Sequence, residues 1–133
     1  MTRLTSTLVI AGALLTAFVV LPIEYAQTGS VSPITWSYVW MMFAPAVAAL
    51  GAVAYQRTRG ITPGSAVVVV LIGIVMCTYP FWGPSFDAGM QMALDGLDTI
   101  LAHYLAGALV IVAGLLQLRR TMQVSSLRGA TPR

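Results

Sequence analysis

Four apolar stretches fill most of this chain, and each has the length a helix needs to cross a lipid bilayer. A hydrocarbon core about 30 Å thick takes roughly 20 residues of helix. The stretches run from Leu4 to Ile23, Ile34 to Tyr55, Gly64 to Phe81 and Thr99 to Leu118. A backbone in lipid finds no water and must satisfy its own N–H and C=O groups. Each stretch is therefore predicted to be a helix, despite its valines, threonines and glycines. Composition points the same way. The 133 residues are 58% hydrophobic and 8% charged, with a mean hydropathy of +0.85. Soluble domains carry about 25% charged residues, so this chain has too little polar surface for a water-soluble fold.

The charges sort by side. All seven basic residues are arginine. Arg3 precedes the first stretch, Arg57 and Arg59 separate the second from the third, and Arg119, Arg120, Arg128 and Arg133 follow the fourth. With four spans, every arginine falls on one face, which the positive-inside tendency makes the cytoplasmic one. Glu24, Asp87, Asp95 and Asp98 all fall on the other. Three or five spans would break this separation. The expected fold is thus an all-α membrane protein: a four-transmembrane-helix bundle in the cell membrane with both termini cytoplasmic. Residues 1–120 form one transmembrane domain, and residues 121–133 are expected to be a mobile, basic, polar tail. A cleaved signal peptide is a poorer reading of the first stretch, because Pro22-Ile23-Glu24-Tyr25-Ala26 lacks small residues at cleavage spacing.

The connections fit. Residues 25–33 make a short outer turn, and residues 56–63 an inner turn around Gly60, with Pro63 near the next helix start, where its missing N–H costs nothing. The long outer segment from Trp82 to Asp98 places Phe86, Met90, Ala93 and Leu97 at helical spacing, opposite Asp87, Gln91, Asp95 and Asp98. This predicts a short amphipathic helix on the outer surface, broken from the fourth span near Gly96. Pro45 is expected to kink the second span.

Spans associate through small residues that let backbones approach, since lipid supplies no hydrophobic drive between them. On the fourth span His103, Gly107, Val110, Gly114 and Gln117 recur at spacings of four and three. On the second, Ala44, Ala48 and Ala52 recur every four; Ala13 and Ala17 do so on the first. Gly107, Gly114, Ala44 and Ala48 are accordingly the expected helix-packing residues.

Chemistry-bearing residues are few. His103, the lone histidine, falls about one turn inside the outer end of the fourth span. An ionisable residue at such depth is a functional candidate, although packing between helices accounts for it as well. Glu24 falls at the outer end of the first span. With Asp95 and Asp98 these residues make a candidate outer-side polar site. Cys77 lies alone in an apolar run and reads as a buried, inert thiol. Met90 and Met92, at neighbouring positions that do not face each other, make no copper site. Trp36, Tyr38, Trp40, Tyr79 and Trp82 gather toward the outer face, as an interfacial belt does. No nucleotide, zinc-protease, dithiol or serine-hydrolase motif is present.

No catalytic residue, metal or cofactor is predicted, and no nucleic-acid partner, since the arginines form no stripe. The expected function is that of a non-enzymatic small subunit or accessory component of a membrane complex, its partners being the lipid bilayer and either a second copy or another membrane protein. One alternative is a small ion, proton or solute transporter using Glu24 and His103. Another is a redox subunit binding haem or quinone through His103.

Overall fold

The computed structural model describes residues 2–17, 33–78 and 97–130, with side chains for 3–17, 43–78, 101 and 104–130. The described residues are all helical, without a strand. Four helices follow one another: α1 Thr2–Leu15, α2 Pro33–Arg59, α3 Pro63–Thr78 and α4 Leu97–Gly129. They pack as a ring in which α1 touches α2, α2 touches α3, α3 touches α4, and α4 returns to α1; the α3–α4 pair is the most extensive.

The α2–α3 connection shows how local chemistry sets the helix ends. Gly60 has φ +83°, and its N–H donates to the carbonyl of Gln56 at 3.0 Å. This is a left-handed C-cap, which glycine adopts without Cβ strain. Two residues later Thr62 caps α3. The Ser65 N–H donates to Thr62 Oγ1 at 3.1 Å, and the Thr62 N–H donates to Ser65 Oγ at 3.0 Å. This is a reciprocal capping box, with serine where glutamate or glutamine is usual and Pro63 at the first helical position. Three residues therefore reverse the chain with both helix ends satisfied. α3 is helical across Val67-Val68-Val69-Val70, a run that intrinsic preference assigns to strands. α2 continues through Pro45 within one helix.

Small residues dominate the buried positions of the described bundle. The buried apolar residues are Val9, Ala13, Ala46, Ala49, Val53, Ala66, Val69, Met76, Ala106, Val110 and Ala113. No leucine or isoleucine is buried among the described side chains. Leu14, Leu50, Leu71, Leu105 and Leu115 instead point outward, more than 40% exposed. Thr5, Thr16, Gln56 and Gln117 are buried. Leucine and isoleucine are among the residues most often found inside soluble folds, yet here Leu8, Ile10, Leu15 and Ile72 are only partly buried against the core.

Three sequence expectations change. Four helices are present, but among the described residues only Tyr104–Gly129 is long and apolar enough to cross a membrane by length and composition. α1 and α3 span 14 and 16 described residues, or about 21 and 24 Å at 1.5 Å per residue, short of a bilayer core. The tail is not separate: α4 continues eleven residues past Leu118, to Gly129. Arginines do not end helices, and their charge near a C-terminus favours the helix dipole. The packing face of α2 also differs. Ala44 and Ala48 are exposed, and Ala46, Ala49, Val53 and Gln56 face the bundle. The expected amphipathic outer helix lies outside the described residues.

Candidate functional site

α4 is placed by glycines. A Cβ on Gly73 would lie 2.7 Å from the Ile111 backbone nitrogen and 2.9 Å from the Gly107 carbonyl oxygen. A Cβ on Gly107 would meet the Gly73 carbonyl oxygen at 2.8 Å, and one on Gly114 the Val70 nitrogen at 2.8 Å. At these glycines the backbone of one helix thus comes close to the backbone of the other, with the Val70, Cys77 and Ile111 side chains filling the space beside them. On the other flank, a Cβ on Gly12 of α1 would lie 2.7 Å from the Ala106 carbonyl oxygen. Gly107 and Gly114 sit in this seam. Cys77 lies against Gly107, with its Sγ 3.7 Å from the Tyr104 carbonyl oxygen.

Near the other end of the seam lies an interhelical polar cluster. Gln56 of α2 and Gln117 of α4 face each other with their amides in a closed pair. Gln56 Nε2 donates to Gln117 Oε1 at 2.8 Å, and Gln117 Nε2 donates to Gln56 Oε1 at 2.9 Å. Both side chains are at least 95% buried. Gln56 Nε2 also reaches Ser65 Oγ at 3.3 Å, the same hydroxyl that caps α3. Each amide leaves water only because it is matched by the other. The pair ties α2 to α4 across the ring and joins both to the α2–α3 turn.

Beside this pair opens a cavity of about 420 Å³. Thr5 of α1, Ile61, Thr62 and Pro63 of the turn, and one face of α4 form its walls. The α4 residues are Leu116, Gln117, Arg120, Thr121, Val124, Ser125 and Arg128, at helical spacings that keep them on one side. Two arginines and several hydroxyls thus border it. A second, more open groove of about 590 Å³ runs between α2 and α3, lined by Ala48, Gly51, Ala52, Tyr55, Gly64 and Val68. It lies where the outward alanines of α2 leave the surface low.

The outer-side residues fare differently. Glu24 and Asp95 lie outside the described residues. Asp98 and His103 belong to the first turns of α4, with their side chains outside the described set. Among the described residues no three histidine, cysteine or acidic side chains converge as metal ligands would. Sequence reasoning placed Gln117 on the packing stripe and Gln56 in the turn, but did not join them. The available signal was two glutamines toward the C-terminal ends of α2 and α4, helices that run parallel across the ring. The cavity was not foreseen, because its far wall is the helical extension of α4 into the supposed tail. No family model matches the chain, and no curated protein or solved structure shows significant similarity to it.

Proposed function

We propose that the chain is a non-enzymatic four-span protein of the cell membrane, with both termini cytoplasmic, acting as a small subunit or accessory component of a membrane complex. The observation that carries the membrane reading is the small-residue core, with every described leucine and isoleucine partly or fully exposed. Alanine, glycine, valine, threonine and glutamine face inward, while leucine and isoleucine stay at least partly outside. That order is unfavourable in water at about 25 cal/mol per Å² of exposed apolar surface. It is the expected order where the surroundings are themselves apolar and helices gain by close approach. The run of valines in α3 supports the same reading, since lipid enforces helix where intrinsic preference does not. The placement of every arginine on one side of a four-span topology supports the proposed orientation.

The accessory role is supported by the outer face of α2. Ala44, Ala48, Gly51 and Ala52 are not used within the bundle to the extent that Ala46, Ala49 and Val53 are. Small outward residues beside an open groove are the surface on which another span seats. The test is disulfide crosslinking in native membranes, in a Cys77→Ser background. Ala48→Cys is expected to trap a second copy or a partner, while Leu71→Cys, on the outside of α3, is not. Equal or absent crosslinking at both positions overturns the accessory role. A C-terminal reporter active only outside the cell overturns the orientation.

A further inference from the structure

We propose that the cavity beside the glutamine pair holds the phosphate headgroup of an anionic phospholipid from the inner leaflet. The inference rests on the membrane reading above and concerns the arginine-bearing end of the bundle. Its volume, about 420 Å³, falls within the range of about 300–1,000 Å³ usual for small-ligand pockets. Arg120 and Arg128 lie eight residues apart on one side of α4 and both border the cavity, so their backbones are separated by about 12 Å along the axis. Two guanidiniums bordering one space favour an anion, and guanidinium geometry suits phosphate oxygens. Thr5, Thr62, Thr121 and Ser125 bring hydroxyls to the same space. The first turn of α3, which begins at this wall, adds the positive end of its dipole.

The cavity is not uniformly polar, and this favours a lipid over a soluble phosphate. Ile61, Leu116 and Val124 share its walls. Leu115, Val124 and Leu127 lie exposed on the same stretch of α4. A headgroup seated between the arginines can leave its acyl chains outside, along the apolar surface of the bundle. Basic pockets between spans on the cytoplasmic side are suited to such headgroups, each arginine contributing to the attraction. The cavity floor is Gln117, 2% exposed. Its amide is already matched by Gln56, so the floor is fixed before any ligand arrives.

The experiment uses the full chain in detergent, titrated with phosphatidylglycerol or phosphatidylcholine, with bound lipid counted by native mass spectrometry. Phosphatidylglycerol is expected to bind about tenfold more tightly, as a single copy. The pair R120Q/R128Q should abolish that preference. So should Ser125→Trp, which fills the cavity and keeps the charge. The pair R57Q/R59Q removes equal charge from the same end outside the cavity and should leave the preference in place. Helicity and monodispersity of each variant are checked alongside. An equal loss in R57Q/R59Q, or an unchanged preference in both R120Q/R128Q and Ser125→Trp, overturns the site. Inorganic phosphate that displaces the lipid at millimolar concentration overturns the lipid assignment in favour of a soluble anion. Vesicle flotation separates the two levels. A chain that does not float with vesicles defeats the membrane reading, whereas one that floats without preferring phosphatidylglycerol defeats only this inference.

Discussion

Where α3 meets α4, backbone touches backbone; where α2 meets its neighbours, side chains do. The first contact is set by Gly73, Gly107 and Gly114, each of which would clash with the facing helix if it carried a Cβ. The second is made by Ala46, Ala49 and Val53 and is closed at one end by Gln56 bonded to Gln117. A backbone contact is specific because almost nothing else fits. A contact through alanines is permissive, since several faces of the same helix offer similar steps. The polar pair supplies what the alanines lack, a single position at which α2 is in register. Burying one amide without the other is costly, so sliding or rotating α2 breaks the pair.

Three sets of substitutions test this contrast. Gly107→Leu puts a large side chain into the tight seam and should destabilise the bundle by about 3 kcal/mol, at the upper end of overpacking costs. Denaturant unfolding in mixed micelles reads it; a loss no larger than that of an exposed control would erase the distinction between the two contacts. Next comes the face of α2. Ala46→Leu should cost about 2 kcal/mol by overpacking, while Ala48→Leu should stay within about 0.5 kcal/mol, as outward substitutions do. The reverse order in the same unfolding assay would mean that α2 packs on the face expected from sequence. The smallest effect is at the pair. Gln117→Leu leaves the Gln56 amide unmatched and should cost about 1.5 kcal/mol. The double variant with Gln56→Leu should recover part of this, with a coupling of about 1 kcal/mol, in the range measured for interhelical polar contacts. Strict additivity of the two single changes would show that the pair does not set register.

Much of the helix plan was legible because its signals are local. Gly60, Thr62 and Pro63 announce a tight reversal, and each takes the backbone role its chemistry favours. The small-residue stripe of α4 was readable because Gly107 and Gly114 have few competitors along that helix. The face of α2 was not, for the opposite reason. Alanine occurs at positions 44, 46, 48, 49, 52 and 54, so a four-step pattern through Ala44 and Ala48 and a mixed pattern through Ala46 and Ala49 are equally regular. Only the mixed pattern leads through Val53 to Gln56, and polarity rather than size decided between them. The end of α4 was misread because charge was taken as a stop. Between Thr121 and Arg128 there is no glycine or proline, and only Gly129 ends the run. The outer-side residues Glu24, His103, Asp95 and Asp98 lie beyond what the described side chains address. The cavity was hidden for a simpler reason: its walls come from three separate parts of the chain, and no local pattern announces such a meeting.

The length of α4 has a mechanical consequence. Its 33 residues make a rod about 50 Å long, uninterrupted by proline, held on one flank by α1 and on the other by α3. A rod clasped over its middle turns, from Gly107 to Gln117, would carry a displacement of its first turns to its last as a tilt, and those last turns carry Arg120 and Arg128.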